Sequence, residues 1–285
     1  MPHTHYTTLI SAANLAERVA TANMLVFDCS FELAEPDAGE KAYAAGHIPG
    51  ARYLHLDRDL SGAVTGTNGR HPLPERSELV KTLAAHGLNQ HQQIVAYDAQ
   101  GGAYAARLWW LLRWLGHDCA AVLDGGLQAW QAAGYALDTS MPPPAQGNFK
   151  ANAPYVTTVG TQTVLSNLQT HEYLVIDARS PERYRGENET VDSAGGHIPG
   201  ALNHFYKDNC AADGRFKPAH VLRDDFQALL GSNPPERVIL QCGSGVTACH
   251  NALAMEIAGL HGAALYPGSW SEWSADPARP IAKGA

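Results

Sequence analysis

At 285 residues the chain is long enough for about two domains. Hydrophobic residues at 45% and charged residues at 17% make it globular and exclude a disordered chain. A formal net charge of −8 without a basic block excludes nucleic acid as a partner. The five cysteines are odd in number and form no CxxC pair, which argues against a disulfide framework or a metal site such as zinc and leaves reduced thiols, one of them a possible nucleophile. The opening MPHTHYTTLISAANLAERVA lacks the basic region and long apolar core of a secretory signal, and no apolar run approaches the ~18 residues of a membrane span. The expectation is a cytoplasmic protein with no membrane partner.

In chain order, Leu25-Val26-Phe27-Asp28 reads as a short buried strand and is followed by Gly46-His47-Ile48-Pro49-Gly50-Ala51. Ser77–His86, stopped by Gly87, reads as a helix. A second buried strand, Ile94-Val95-Ala96, leads to Asp98, and Tyr104–Leu115 is a helix stopped by Gly116 with Leu108, Leu111, Leu112 and Leu115 on one face. Trp109, Trp110 and Trp114 share its core spacing and read as packing. Ala121–Gly126 with Trp130 closes this half, and Met141-Pro142-Pro143-Pro144 opens a semi-rigid spacer.

The pattern then returns. Leu174-Val175-Ile176-Asp177, Gly196-His197-Ile198-Pro199-Gly200-Ala201, Val238-Ile239-Leu240-Gln241-Cys242 and Ala264–Gly268 with Trp273 repeat the landmarks in the same order. The chain is therefore two copies of one unit, spanning 1–140 and 155–285 with a linker at 141–154. Alternating strands and helices predict α/β domains, each an open, mainly parallel sheet flanked by helices. Ligands of such sheets sit beyond the carboxyl ends of the strands, where the second copy has Cys242 and the first has Asp98.

Cys242-Gly243-Ser244-Gly245-Val246-Thr247 joins that strand end to a helix running from Thr247 to Ile257, ended by Gly259. The loop's backbone N–H groups, from Gly243 through Gly245 and Val246 to Thr247, and the helix end would favour an anion at the Cys242 sulfur, and the thiolate is the reactive form. A free cysteine is also commonly an inert core residue, but the Gly-Ser-Gly context makes that the weaker reading. The Ser244 hydroxyl either assists proton transfer or bonds its own loop. Thr247 reads as the helix cap and a donor to the sulfur. Cys249 reads as packing. A cysteine phosphatase would need an arginine six positions after the nucleophile, where this chain has Ala248.

The CGSGVTAC loop, Gly268-Ser269-Trp270-Ser271-Glu272-Trp273 and the paired GHIPGA motifs resemble tandem-domain rhodaneses over nearly the whole chain. Within them CGSGVT is similar to the 3-mercaptopyruvate sulfurtransferase branch, since the thiosulfate-using branch carries two basic residues at the positions of Gly243 and Ser244. The resemblance implies two tandem rhodanese-like domains, the first inactive and the second catalytic. It implies a Cys242 persulfide, formed as pyruvate leaves and discharged to cyanide or to a thiol acceptor such as a thioredoxin-like protein, with no metal or organic cofactor. It also implies that Arg179 and Arg185 hold the donor carboxylate, with Arg183 a weaker candidate; the plain alternative for these is surface ion pairing. His47 matches a relay histidine by motif and Asp37 its aspartate loosely by spacing, although a fold role in the GHIPGA turn explains His47 and His197 equally. Pro267 departs from the family's aspartate, which the first copy keeps as Asp124. Two alternatives stay open: a thiosulfate sulfurtransferase, and a non-catalytic sulfur-relay or docking module.

Overall fold

The computed structural model describes residues 5–21 and 23–284, so the first four residues of the N-terminal segment read above lie outside it. The strands are β1 (Leu9–Ile10), β2 (Met24–Asp28), β3 (Arg52–Tyr53), β4 (Gln93–Tyr97), β5 (Ala120–Leu123), β6 (Leu174–Asp177), β7 (Leu202–Asn203), β8 (Val238–Gln241) and β9 (Ala264–Leu265). They form two separate, wholly parallel sheets.

The first unit comprises the described chain up to Ser61, then Pro74–Tyr155 and Ala211–Phe216. Its sheet runs β1-β5-β4-β2-β3. All five positions of both β2 and β4 are buried, as expected of strands covered on both faces. The helices Arg76–Ala85 and Ala105–Trp114 fall within a residue of their expected ends. Trp109 and Trp110 are buried in the core, as their spacing indicated. The 141–154 stretch is held to this unit: Gly147 N–H donates to Ala84 O and Phe149 N–H to Leu88 O, and the Phe149 side chain is buried.

The second unit comprises Gly62–Leu73, Val156–Cys210 and the described chain from Lys217 onward. Sequence order alone assigns 62–73 to the first copy; in space it joins the second. The sheet runs β7-β6-β8-β9, the order of the first sheet without its β1, and Thr158 bridges Leu265 where β1 would pair. Register aligns Asp177 with Gln241, so β8 delivers Cys242 to the carboxyl edge of the sheet.

Each GHIPGA histidine performs the same structural task. His47 stacks on Tyr43 at 4.0 Å and donates from Nδ1 to Tyr43 O at 2.8 Å. His197 stacks on Tyr184 at 3.8 Å and donates to Tyr184 O at 2.9 Å. Each also pairs its backbone with a distant segment, at Asp138 and Ala282 respectively. The exposed Asp37 begins the helix Ala38–Ala45 without a side-chain cap bond.

Candidate active site

In the second unit, the loop after β8 is tied down on its far side by the turn Gly268–Ser271. Cys242 N–H donates to Ser269 Oγ at 3.1 Å, and Ser269 Oγ donates to Tyr266 O at 2.9 Å. Trp270 N–H donates to Cys242 O at 3.0 Å and Ser271 N–H to Gly243 O at 2.8 Å. Gly245 has φ +76°, and a Cβ there would stand 2.3 Å from Pro267 O, so only glycine fits. The Pro267 backbone thus packs under the loop, a contact that needs no particular side chain.

This folding turns Gly245 N–H toward Cys242 Sγ at 3.1 Å, so the sulfur accepts a backbone hydrogen bond at the edge of the sheet. Val246 is buried, and the helix Ala248–Ile257 begins after Thr247. Thr247 makes no side-chain cap bond, contrary to the expected cap: the helix opens in tight turns, Cys249 N–H to Val246 O and His250 N–H to Thr247 O. Cys249 Sγ donates to Gly245 O at 3.3 Å and is fully buried, which fits packing.

The first unit shows what such a loop binds. At the equivalent strand end, Asp98 turns its carboxylate back into its own loop. Oδ1 accepts from Gln100 and Gly102 N–H at 2.8 Å each; Oδ2 accepts from Tyr104 N–H at 2.8 Å and Ala105 N–H at 2.9 Å. This cradle is filled by an anion of its own.

Two groups from the 62–73 segment meet the Cys242 loop. His71 Nδ1 lies 2.7 Å from Ser244 Oγ, both side chains being buried. The histidine at Ser244 is thus His71; His47 is bound up in the first unit's Tyr43 turn. Arg70 N–H donates to Ser271 Oγ at 3.0 Å, and its guanidinium pairs with Asp192. A Cβ built on Gly243 would lie 3.1 Å from Arg70 Nη2, 3.6 Å from Arg183 Nη1 and 3.7 Å from Arg183 Nη2. Two cations therefore flank a loop that carries none in its own sequence.

Arg183 is held by Glu189 at 3.0 Å through Nε and Nη2, and by Asp192 at 2.8 Å. Burial opposes its charge, yet Glu189, Asp192 and Cys242 together hold its pKa above the ordinary arginine value. Burial likewise works against charge on Glu189, but the Arg183 bonds and the N–H groups of Asp192 and Val191 bring its pKa below the usual carboxylate value.

Arg179 and Arg185 are placed otherwise than the motif suggested. Arg179 is buried, with Nε and Nη2 on Asp177, Nη2 also on Gly196 O at 2.6 Å, and its guanidinium 4.6 Å above the Trp270 ring. Arg185 is partly exposed and paired with Glu187 at 2.8 Å. Arg183, ranked below both from sequence, is the member of the three at the loop. Trp270 and Trp273 are fully buried.

No element read from the sequence pointed to Arg70 and His71; in the structure they lie in the stretch between the helices ending at Asp59 and starting at Arg76. That stretch exceeds the ~12–15 residues beyond which an unstructured loop usually has a function. Among the described residues no group of three or more His, Cys, Asp or Glu is arranged to hold a metal ion, and no helix is long and apolar enough to cross a membrane.

Comparison with known proteins gives the same outline. Residues 11–133 and 161–276 each match the Rhodanese-like domain family. A Pseudomonas aeruginosa protein bearing a 3-mercaptopyruvate sulfurtransferase name is 46% identical over 97% of this chain and 98% of its own. A Mycobacterium tuberculosis protein bearing a thiosulfate sulfurtransferase name is 39% identical over 97% of each chain. The solved 3-mercaptopyruvate sulfurtransferase from Leishmania major superposes with a TM-score of 0.82 at 30% identity, covering 96% of this chain and 76% of that one.

Proposed function

The chain belongs to the rhodanese-like family, and from that membership and the loop around Cys242 we propose that it transfers sulfur from 3-mercaptopyruvate to a thiol or cyanide through a Cys242 persulfide. The observation that carries this reading is the Cys242 sulfur at the strand end, accepting Gly245 N–H, in the unit whose sister loop already holds a carboxylate. The Cys242 thiolate attacks the donor sulfur. The C–S bond breaks and its electron pair leaves on carbon as the enolate of pyruvate, which takes a proton to give pyruvate. The Ser244–His71 pair is suited to deliver that proton. A second nucleophile then attacks the outer sulfur and releases the Cys242 thiolate, a two-stage covalent cycle. Arg183 supplies charge for the donor carboxylate. The acceptor is a small thiol or a thioredoxin-like protein, and the chain works in the cytoplasm.

A second reading, a thiosulfate donor, is favoured by one observation: the loop is not as neutral as its sequence, since Arg70 and Arg183 flank Gly243. Steady-state kinetics with both donors decide between them, and a higher kcat/KM with thiosulfate would reverse the assignment. The persulfide is tested by mass spectrometry after donor treatment. One added sulfur belongs on the Cys242 peptide; Cys242→Ser should abolish transfer while Cys249→Ser keeps most of it. Sulfur found mainly on Cys29, Cys119, Cys210 or Cys249 would end the assignment.

A further inference from the structure

The geometry points to Arg70 as the residue that selects a carboxylate-bearing donor, its Nη2 and Arg183 Nη1 together forming the seat for that carboxylate beside Gly243. This inference rests on the donor reading above and adds to it a residue from the 62–73 segment.

Three observations carry it. The first is which nitrogens are engaged. Arg70 Nη1 is on Asp192, while Nε is buried without a hydrogen-bond partner and no bond is made by Nη2 among the described residues. Arg183 engages Nε and Nη2 with Glu189 and Asp192, and its Nη1 makes no hydrogen bond among the described residues. These two spare terminal nitrogens are the nearer atoms of each guanidinium to Gly243, at 3.1 and 3.6 Å from a Cβ built there, with the engaged Arg183 Nη2 at 3.7 Å. A guanidinium fixed by a carboxylate on one edge and unpaired on the other is organised for a further anion before that anion arrives.

The second is the support. Asp192 is almost wholly buried and divides its two oxygens between the two arginines, while its own N–H donates to Glu189 Oε1 at 3.0 Å. Arg70 is fixed from behind by its N–H on Ser271 Oγ, and Gly69, at φ +84°, passes so close to Gly268 that a Cβ would stand 2.7 Å from the Gly268 carbonyl. Such crowded docking orients the side chain and is more than an exposed loop needs.

The third is charge. Arg70, Arg179 and Arg183 are matched by Asp177, Glu189 and Asp192. A balanced cluster with two spare donors suits the single charge of a planar carboxylate better than a dianion. Glycine at 243 keeps the seat open, since any side chain would begin 3.1 Å from Arg70 Nη2.

The test compares two donors that differ by the carboxylate: 3-mercaptopyruvate and the uncharged ketone 1-sulfanylpropan-2-one. With Arg70→Ala, KM for 3-mercaptopyruvate should rise about 10- to 100-fold, the loss expected for a charge-assisted hydrogen bond, while kcat changes little. The kcat/KM with the ketone should stay unchanged. Arg70→Lys keeps a charge for Asp192 but lacks the second nitrogen, so it should show the same donor-dependent loss in milder form, and it serves in place of Arg70→Ala should the latter not fold. An equal loss with both donors would make Arg70 a mere clamp on its segment, and no loss with either would remove it from the site; either result overturns the inference. A wild-type enzyme that turns over the ketone but not 3-mercaptopyruvate overturns the donor reading and this inference with it.

Discussion

His71 Nδ1 and Ser244 Oγ stand 2.7 Å apart, although 173 positions separate them in the chain. A hydroxyl is a poor proton source alone, and an imidazole within hydrogen-bond reach makes it a usable one. His71→Asn should therefore lower kcat by roughly 100-fold or more. Ser244→Ala should do much the same, and the double variant should lose little beyond either single change, because the two act as a unit. Alkylation of Cys242 by an uncharged reagent should be unaffected. Fully additive losses would separate the two side chains mechanistically. His47→Asn, in contrast, should change the melting temperature and leave kcat per folded molecule intact.

The Asp98 carboxylate accepts four backbone N–H groups at 2.8–2.9 Å. Asp98→Ala leaves those donors without their anion in a buried loop, at a cost of about 3 kcal/mol or more. Denaturant unfolding should show that loss, with persulfide formation on Cys242 retained per folded molecule. A variant as stable as wild type would mean that solvent satisfies the cradle without the carboxylate.

Arg179 and Arg70 should behave as opposites. Arg179→Ala leaves Asp177 buried and unpaired, which costs about 3–5 kcal/mol. The change belongs in the unfolding midpoint. Arg185→Ala should alter neither stability nor KM by much, since its pair with Glu187 is solvent-exposed. If Arg179→Ala instead raises KM for 3-mercaptopyruvate in a protein of unchanged stability, the carboxylate contact suggested by the motif is restored to it.

The internal repeat made the fold legible because parallel strands buried on both faces are short apolar runs, and Leu25–Phe27, Ile94–Ala96, Leu174–Ile176 and Val238–Leu240 are such runs. The proposed nucleophile, Cys242, stood out for a related reason: a cysteine followed by glycines between strand and helix has few other uses. What the sequence concealed was partnership. Arg179, Arg183 and Arg185 alternate along one short segment, and nothing in that spacing says that Asp177 takes the first, Glu187 the last, and Gly243 faces the middle one. Likewise the repeat assigns residues 62–73 to the first copy, so Arg70 and His71 were hidden by the very regularity that revealed the domains.

The first unit also carries a pH dependence with a definite sign. His117 is buried, with Nε2 donating to Gln92 O at 2.9 Å. Burial holds its pKa below the ordinary 6.5, and the hydrogen bonds to the Gln92 and Cys119 backbone only partly oppose this. His86 is shifted the same way by burial. Just below pH 6.5 the unfolded chain thus binds more protons than the folded one. The contribution is complete above the unfolded pKa and is lost as pH falls from about 6.5 toward the depressed folded values, by up to ~1.4 kcal/mol per pH unit for His117 and by less for the partly exposed His86. The carboxylates with lowered pKa, such as Glu189, act in the same direction only below about pH 4.5, whereas burial raises Asp28 and Asp124, which act with the opposite sign, so the histidine share is read from the difference between wild type and a His117→Gln variant over pH 7.5 to 5.5. Unfolding midpoints of wild type and variant are measured across that interval, and the His117 contribution should fall with pH. His117→Gln, which can still donate to Gln92 O, should flatten the slope in part and leave the His86 share. An unchanged slope in that variant would show that protons taken up on unfolding come from elsewhere in the chain.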